Sequence, residues 1–228
     1  MRIAEIYPSL QGEGRLTGTP SIFVRASGCN LRCWFCDTPF TSWSPEGEDL
    51  AVDEIVGRVM LLDQRHVVLT GGEPMLFAEL VPVARQLREL GRHITIETAG
   101  TLDLPVECDL MSISPKLANS APDAAQHPRW HARHEKTRQQ LSVVNRLIAD
   151  YDYQLKFVID VPADIDQVRD YLDRLQTYDP QRVLLMPQGT DPHQLTELGK
   201  WLEPRCSELG FQFCPRQHIV WFGSRRRT

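Results

Sequence analysis

The amino-acid sequence predicts an α/β fold, an incomplete TIM-like barrel of about six parallel strands. Short runs rich in β-branched residues alternate with amphipathic stretches of helical spacing, which is typical of βα units in a parallel sheet. The chain has 228 residues, whereas a full eight-unit barrel takes about 250. Since no composition shift or repeat divides the sequence, we expect a single domain over residues 1–228 and a barrel that does not close.

The predicted strands are short apolar runs bounded by polar or turn residues. The run from 66 to 70 (HVVLT) is representative, because it is rich in β-branched residues and a glycine pair follows it. Crossovers between parallel strands are nearly always right-handed, so each pair of strands leaves room for a helix between them. The predicted strands are 22–26, 66–70, 93–98, 109–114, 153–160 and 182–186, with a short last strand starting at 211.

The predicted helices are stretches whose apolar residues recur every three or four positions. The segment from about 118 to 133 interrupts this pattern, because it is polar and contains prolines and histidines. We expect it to be an irregular insertion. The predicted helices are 52–62, 77–90, 135–151, 164–178 and 192–209.

Composition and charge narrow the class of protein. Hydrophobic residues make up 42% and charged residues 24% of the chain, which is typical of a globular protein. The formal net charge of −5 argues against a nucleic-acid partner, because non-specific binding needs a basic surface. The sequence has neither an apolar run of about 18 residues nor a signal-peptide pattern at its start. We therefore expect no membrane partner and a cytosolic location, where the six cysteines are metal ligands or free thiols.

Three of the cysteines form a compact motif, Cys29, Cys33 and Cys36. Three thiolates this close together can hold three irons of a cubane cluster. The fourth iron then lacks a local protein ligand and is open to a small molecule, by the same logic as the open position of catalytic zinc sites. Structural zinc and an electron-transfer cluster remain alternatives at this point. Either would need a fourth protein ligand, from Cys108, Cys206, Cys214 or a histidine, and His127, His131 and His134 are weak zinc candidates.

A glycine-rich segment supports the cluster hypothesis. Gly71-Gly72-Glu73-Pro74 directly follows the predicted strand 66–70. Glycines at a strand end let the backbone approach a ligand closely. The cysteine spacing, the aromatic Phe35 before the last cysteine and this segment together resemble the radical S-adenosylmethionine (SAM) superfamily. The resemblance implies a [4Fe–4S] cluster and S-adenosylmethionine as cofactors, with the glycine segment holding the amino group of the latter.

A narrower resemblance, to the 7-carboxy-7-deazaguanine synthases, runs along most of the chain. It implies a radical ring contraction of 6-carboxy-5,6,7,8-tetrahydropterin to 7-carboxy-7-deazaguanine with loss of ammonia, on the pathway to queuosine and other deazapurines. The matching segments are 6–14 (IYPSLQGEG), 18–20, 23–25, 28–38, 70–74, 97–100, 114–116 (SPK), 154–158 and 186–189.

The resemblance also implies residue roles. Arg25 is expected to clamp the substrate carboxylate, since a guanidinium suits two-point carboxylate binding. The predicted substrate-binding residues are Leu10, Gln11, Gly12, Glu13, Arg25, Thr70 and His218. The predicted S-adenosylmethionine-binding residues are Phe35, Cys36, Asp37, Gly72, Ser114, Pro115, Lys116 and Gln188. Thr38 is the predicted ligand of a Mg²⁺ ion, which prefers oxygen and retains several waters.

Partners follow from the same resemblance. It implies a flavodoxin- or ferredoxin-type electron donor and a homodimer. It also matches the segment from about 118 to 133 to an insertion that forms a lid over the site or a dimer contact. One alternative function is a glycyl-radical-enzyme activase, whose substrate is a protein, and another is a noncatalytic iron–sulfur module. The arginine-rich end, Arg225 to Thr228, is expected to be a solvated tail.

Overall fold

One nine-stranded sheet forms the centre of the computed structural model, which describes residues 1–223 and 225–228. The strands are β1 (Arg2–Leu10), β2 (Pro20–Ala26), β3 (Glu48–Asp49), β4 (His66–Gly71), β5 (His93–Thr98), β6 (Leu110–Ile113), β7 (Tyr153–Ile159), β8 (Val183–Pro187) and β9 (Gln212–Phe213). The helices are α1 (Pro39–Ser42), α2 (Val52–Met60), α3 (Leu80–Glu89), α4 (Pro128–Thr137), α5 (Leu141–Asp150), α6 (Asp164–Leu172), α7 (Pro192–Leu209) and α8 (Gln217–Phe222).

The strand order is β3-β1-β2-β4-β5-β6-β7-β8-β9. Strands β2, β4, β5, β6, β7 and β8 lie side by side in chain order, and each is parallel to the next. The two edges of the sheet are different strands, so the barrel stays open. The predicted fold class, an incomplete barrel of about six parallel strands, is confirmed.

Strand β1 is a part of the sheet that the sequence pattern did not predict. It pairs antiparallel with β2 on one side and with the short β3 on the other. In its sequence, RIAEIYPSL, the buried residues are Ile3 and Glu5, at alternate positions, and Glu5 is charged. This alternation is typical of a half-buried strand. The strand matters for function, since it carries Glu5 and Tyr7 to the cavity described below.

The core lies between the sheet and its helices. Ile22, Leu69 and Ile96 from neighbouring strands are fully buried and pack in one cluster with the apolar face of α3. That face was predicted from its spacing, and Leu80, Val83 and Leu87 on it are buried. Within residues 1–223 and 225–228, no helix has the length and apolar character needed to cross a bilayer.

The insertion differs from its prediction. The predicted helix 135–151 is two helices, α4 and α5, and α4 begins at Pro128 inside the segment that was expected to be irregular. Proline is compatible with the first turn of a helix, because an N–H at that position has no partner in the helix. No residue from 118 to 133 lines the cavity described below. The helix lies instead against the outer side of the cysteine loop.

Candidate active site

A cavity of about 350 Å³ lies where the central parallel strands end. The sheet register brings Arg25 of β2 opposite Thr70 of β4, and Glu97 of β5 lies one strand further along. Since the carboxyl ends of parallel strands meet at one edge of a sheet, side chains far apart in sequence face the same space. The cavity also receives the N-terminal segment 10–13 and the start of α8.

The cavity collects almost all of the predicted site residues. All seven predicted substrate-binding residues line it: Leu10, Gln11, Gly12, Glu13, Arg25, Thr70 and His218. So do Cys29, Cys33, Thr38 and the predicted S-adenosylmethionine-binding residues Phe35, Cys36, Asp37, Gly72, Ser114, Lys116 and Gln188. Pro115 is the exception, because it is not among the lining residues.

The three loop cysteines are free thiols facing this one cavity. The Cys29 sulfur accepts the Leu31 N–H at 3.4 Å, and the Ser42 hydroxyl donates to the Cys36 sulfur at 3.2 Å. Burial, together with the neighbouring thiols, raises the pKa of Cys29 to about 12 and that of Cys33 to about 11. Such buried thiols become thiolates when a bound metal supplies positive charge.

These residues fit an iron–sulfur cluster. Among the described residues, no three His, Cys, Asp or Glu side chains converge on the position of a single metal ion. A cubane cluster makes a different demand, because it takes each cysteine on a separate iron. Three free thiols in one loop, already accepting hydrogen bonds at two of the sulfurs, meet that demand.

The glycine pair after β4 is fixed against the cysteine loop. The Gly72 N–H donates to the Ala26 carbonyl at 3.0 Å, and the Glu73 N–H donates to the Gly28 carbonyl at 2.9 Å. A Cβ added at Gly72 would lie 2.2 Å from the Gly28 carbonyl oxygen. Position 72 therefore requires glycine so that two backbone segments can touch.

Glu73 of the same motif is structural. Its side chain is fully buried, and burial raises its pKa. The carboxyl group accepts hydrogen bonds from the Thr98 hydroxyl and the Ala99 N–H, both at 2.8 Å. It thereby ties the end of β4 to the end of β5.

Lys156 is a buried cation that sequence reasoning did not assign to the site. Its ammonium donates to Glu13 at 2.8 Å and to Glu97 at 3.3 Å, and the Thr70 hydroxyl donates to Glu97 at 2.8 Å. Burial alone would raise the pKa of Glu13, but Lys156, Arg216 and His218 hold it well below its usual range. The only signal in the sequence was a lysine within the apolar strand 153–160.

Arg216 is a second buried cation that the sequence did not reveal. Its Nη1 donates to the Gly189 carbonyl at 2.6 Å, its Nε lies 3.3 Å from Glu13, and its Nη2 pairs with Asp37. One side chain thus connects the N-terminal segment, the cysteine loop and the loop after β8. It precedes a short helix that has no periodic pattern, so nothing in the sequence marked it.

Arg25 is half-buried beside two partners from β1. Its Nη2 donates to the Tyr7 hydroxyl at 3.0 Å, and its Nε lies 3.3 Å from Glu5. Glu5 also accepts from Arg226 at 2.9 Å. The C-terminal tail is solvated as expected, since Arg225 to Arg227 are exposed, but it is not free of the site. Arg225 to Thr228 line the cavity, and Arg226 lies 3.7 Å from the Phe40 ring centroid.

The predicted S-adenosylmethionine side of the cavity has one cation without a carboxylate partner among the described residues. The Lys116 ammonium donates to the Ser114 hydroxyl at 2.7 Å and to the Ser114 carbonyl at 2.9 Å. The arrangement holds a positive charge toward the cavity, where it can bind an anionic group. The Thr38 hydroxyl, the predicted magnesium ligand, lies 3.8 Å from the Cys36 sulfur.

The three histidines in and directly after the insertion do not form a metal site among the described residues. His134 has both ring nitrogens engaged, Nδ1 accepting the Arg32 N–H at 3.2 Å and Nε2 lying 2.9 Å from the Ser120 hydroxyl. His131 bonds to the Pro122 carbonyl, and His127 packs on the Trp43 ring. Each ring has its own protein partner.

This combination of fold and cavity defines a class of protein. A family model described as the radical SAM superfamily matches residues 23–149, and the chain belongs to that superfamily. A 7-carboxy-7-deazaguanine synthase of Rhodopirellula baltica is 46% identical over 99% of this chain and 88% of its own length. Its counterpart in Halobacterium salinarum is 43% identical, covering 96% of this chain and 89% of the relative.

The likeness extends to a solved structure. The crystal structure of QueE from Escherichia coli superposes with a TM-score of 0.72 at 26% sequence identity, covering 95% of this chain and 94% of that one. Within the radical SAM superfamily, the chain therefore belongs to the 7-carboxy-7-deazaguanine synthase family.

Proposed function

We propose that this chain converts 6-carboxy-5,6,7,8-tetrahydropterin into 7-carboxy-7-deazaguanine by radical ring contraction with loss of ammonia, acting as a carbon–nitrogen lyase. The observation that carries the proposal is the 46% identity to a 7-carboxy-7-deazaguanine synthase over 99% of the chain. A single cavity bordered by the three cysteines, Arg25 and Glu13 supports it, because the substrate carries both a carboxylate and a guanidine-like edge.

The family's cofactors are a [4Fe–4S] cluster, S-adenosylmethionine and Mg²⁺. When bound, the cluster and S-adenosylmethionine supply one-electron radical chemistry at the substrate carbon. Cys29, Cys33 and Cys36 would hold the cluster. Phe35, Asp37, Gly72, Ser114, Pro115, Lys116 and Gln188 would surround S-adenosylmethionine. Lys116 supports this role, since its ammonium pairs with no carboxylate in the described part of the chain and suits the methionine carboxylate.

Arg25 and Glu13 would orient the substrate from opposite ends. Arg25 would bind the carboxylate through the N–H groups that Glu5 and Tyr7 leave free. Glu13 is held as a carboxylate by its cationic neighbours, so it accepts hydrogen bonds from the N–H donors of the pterin edge. Gln11, Gly12, Leu10, Thr70 and His218 would complete the enclosure. The Thr38 hydroxyl would give Mg²⁺ one protein ligand, leaving the other positions to substrate oxygens and water.

We propose further that a flavodoxin- or ferredoxin-type protein donates the electron, that the chain acts as a homodimer, and that it works in the cytosol. Six free cysteines suit a reducing compartment. The substrate would be the small pterin, with no direct nucleic-acid or membrane partner.

The test is an anaerobic reaction of the reconstituted protein. Dithionite, S-adenosylmethionine, Mg²⁺ and carboxytetrahydropterin are added, and 7-carboxy-7-deazaguanine is sought by mass spectrometry. Formation of the product is expected. Release of 5′-deoxyadenosine and methionine without the product would overturn the assigned substrate and point to a different radical reaction. Neither product nor cleavage, from protein with a full iron content, would overturn the enzyme assignment as a whole.

A further inference from the structure

The outer side of the cysteine loop carries an exposed aromatic groove. Trp34 lies between Cys33 and Cys36 in sequence, is 54% exposed, and donates its indole N–H to the Asn119 carbonyl at 2.7 Å. Together with Trp43 it borders a groove of about 570 Å³. The remaining lining residues come from the insertion: Ala121, Pro122, Asp123, Gln126 and His127.

Helix α4 continues this surface and is fixed directly on the cysteine loop. The Arg32 N–H donates to the buried His134 of α4 at 3.2 Å, and the Arg32 guanidinium lies 4.0 Å from the Trp130 ring centroid. No α4 residue lines the substrate cavity. The groove and the outer face of α4 therefore form one surface on the side of the loop away from the substrate. We call it the loop face.

The α4 part of the loop face is basic, although the groove carries Asp123 and the protein as a whole has a net charge of −5. Arg129, Arg133 and Lys136 on α4 are all exposed. None of the three forms an ion pair with another described residue, whereas the exposed Lys200 and Arg205 on α7 each pair with a glutamate one turn away. Unpaired cations on a helix next to an exposed aromatic groove are typical of a surface that meets an acidic partner.

We propose that the loop face is the docking site of an acidic, flavodoxin-type electron donor. This rests on the proposed function, which requires one electron from outside at each activation. The cavity side of the loop is needed for the pterin and S-adenosylmethionine. The loop face is a free surface of the same loop, since it exposes Trp34 between Cys33 and Cys36. On docking, the donor is oxidised by one electron and the cluster is reduced by one. No bond forms or breaks.

The first test is binding, which does not depend on turnover. A purified acidic flavodoxin is titrated against the cluster-loaded protein and against the Arg129→Glu/Arg133→Glu double variant, at low and at moderate salt. The expected result is a Kd at least about tenfold higher for the variant, with a weaker dependence on salt, because opposite charges steer and hold the partners. The matched control is Lys200→Glu/Arg205→Glu on α7, which changes the charge equally and is expected to shift Kd by less than about twofold.

The second test separates docking from support of the cluster. With dithionite as reductant, the α4 double variant is expected to turn over at the wild-type rate. With subsaturating reduced flavodoxin, its rate is expected to fall by about the same factor as its affinity. An unchanged Kd, an equal loss in the α7 control, or an equal loss with both reductants would each overturn the proposal.

Two further outcomes would also overturn it. If the α4 variant converts a dimer to a monomer in sedimentation, the face is a contact between two copies of the chain. If the double variant fails to load iron, the milder Lys136→Glu takes its place, and a Kd unchanged in that variant rejects the docking site. Failure of the wild type to convert the pterin with dithionite would reject the proposed function instead, and the binding comparison would still decide about the loop face.

Discussion

Arg25 is the residue on which substrate affinity is expected to depend most. Two of its donors are already fixed by Tyr7 and Glu5, so the guanidinium is oriented before the substrate arrives. Replacing it in Arg25→Ala removes a charged hydrogen-bond partner, which contributes about 1.5–3 kcal/mol. We expect KM for the pterin to rise about 10- to 150-fold, while reductive cleavage of S-adenosylmethionine continues. Steady-state kinetics and quantitation of 5′-deoxyadenosine measure the two effects.

The control for Arg25 is Arg25→Lys, which keeps the charge without the two-point geometry. It is expected to recover only part of the affinity. Normal pterin affinity in Arg25→Ala would contradict the assigned role.

Lys156 determines the protonation of the carboxylate beside it. Glu13 pairs with Lys156 and Arg216, and these cations lower its pKa against the effect of burial. Removing one of them in Lys156→Gln raises the pKa of Glu13, so the carboxylate is protonated at a higher pH as the solution is acidified. We expect the acid limb of the kcat/KM profile to move up by about one unit or more. Lys156→Arg retains the charge and is expected to leave the limb near its wild-type position. A lower rate with an unmoved limb would mean that Lys156 only supports the fold.

Site residues could be predicted from the sequence where they belong to a compact motif. They could not be predicted where only the fold brings them together. The cysteines and Gly72 belong to compact sequence patterns, so their common location followed from the sequence. Lys156 and Arg216 lie far from those motifs, and the topology alone brings them to Glu13. Long-range ion pairs of this kind leave no periodic trace in a sequence.

At the scale of elements, the contact between the glycine pair and the cysteine loop is the most sensitive one. Gly72→Ala would place a Cβ 2.2 Å from the Gly28 carbonyl oxygen, so one of the two backbone segments must move. We expect iron content after reconstitution to fall severalfold and thermal stability to drop. The control is Gly57→Ala in α2, where a Cβ meets nothing within 4 Å and alanine favours the helix by about 1 kcal/mol. A Gly72→Ala protein with full iron content would contradict this account of the motif.

The sequence predicted the buried parallel strands but not β1 or α4. The parallel strands are buried on both faces and produce continuous apolar runs, as in β4, so their existence was clear. Strand β1 alternates and lies toward the edge of the sheet, and α4 is short and polar with a proline at its start. Both are held by tertiary contacts rather than by apolar pattern, which explains why both escaped prediction.

At the scale of the whole molecule, the charge around the cavity has the opposite sign to the net charge of the protein. The chain is acidic overall, yet the cavity is bordered by seven lysine or arginine residues and four aspartates or glutamates. The substrate carboxylate therefore moves from an acidic exterior toward a local excess of positive charge. A net charge calculated from composition cannot reveal such a separation, because it depends on which residues the fold brings together.

The positions of the other three cysteines distinguish a noncatalytic metal module from an enzyme whose cluster has an open iron. Cys108 precedes β6, Cys206 is buried in α7 and Cys214 follows β9, and none of the three lines the cavity. A noncatalytic iron–sulfur or zinc module would need one of them as a fourth ligand, whereas a cluster with one open iron needs only the loop cysteines.

The triple variant Cys108→Ala/Cys206→Ala/Cys214→Ala is therefore expected to retain full iron content and the wild-type cluster absorbance. Replacing Cys33 alone is the matched control and is expected to abolish both. Loss of iron from the triple variant, with the melting temperature of the metal-free protein unchanged, would show that a fourth protein ligand exists and that the cluster has no open position for S-adenosylmethionine.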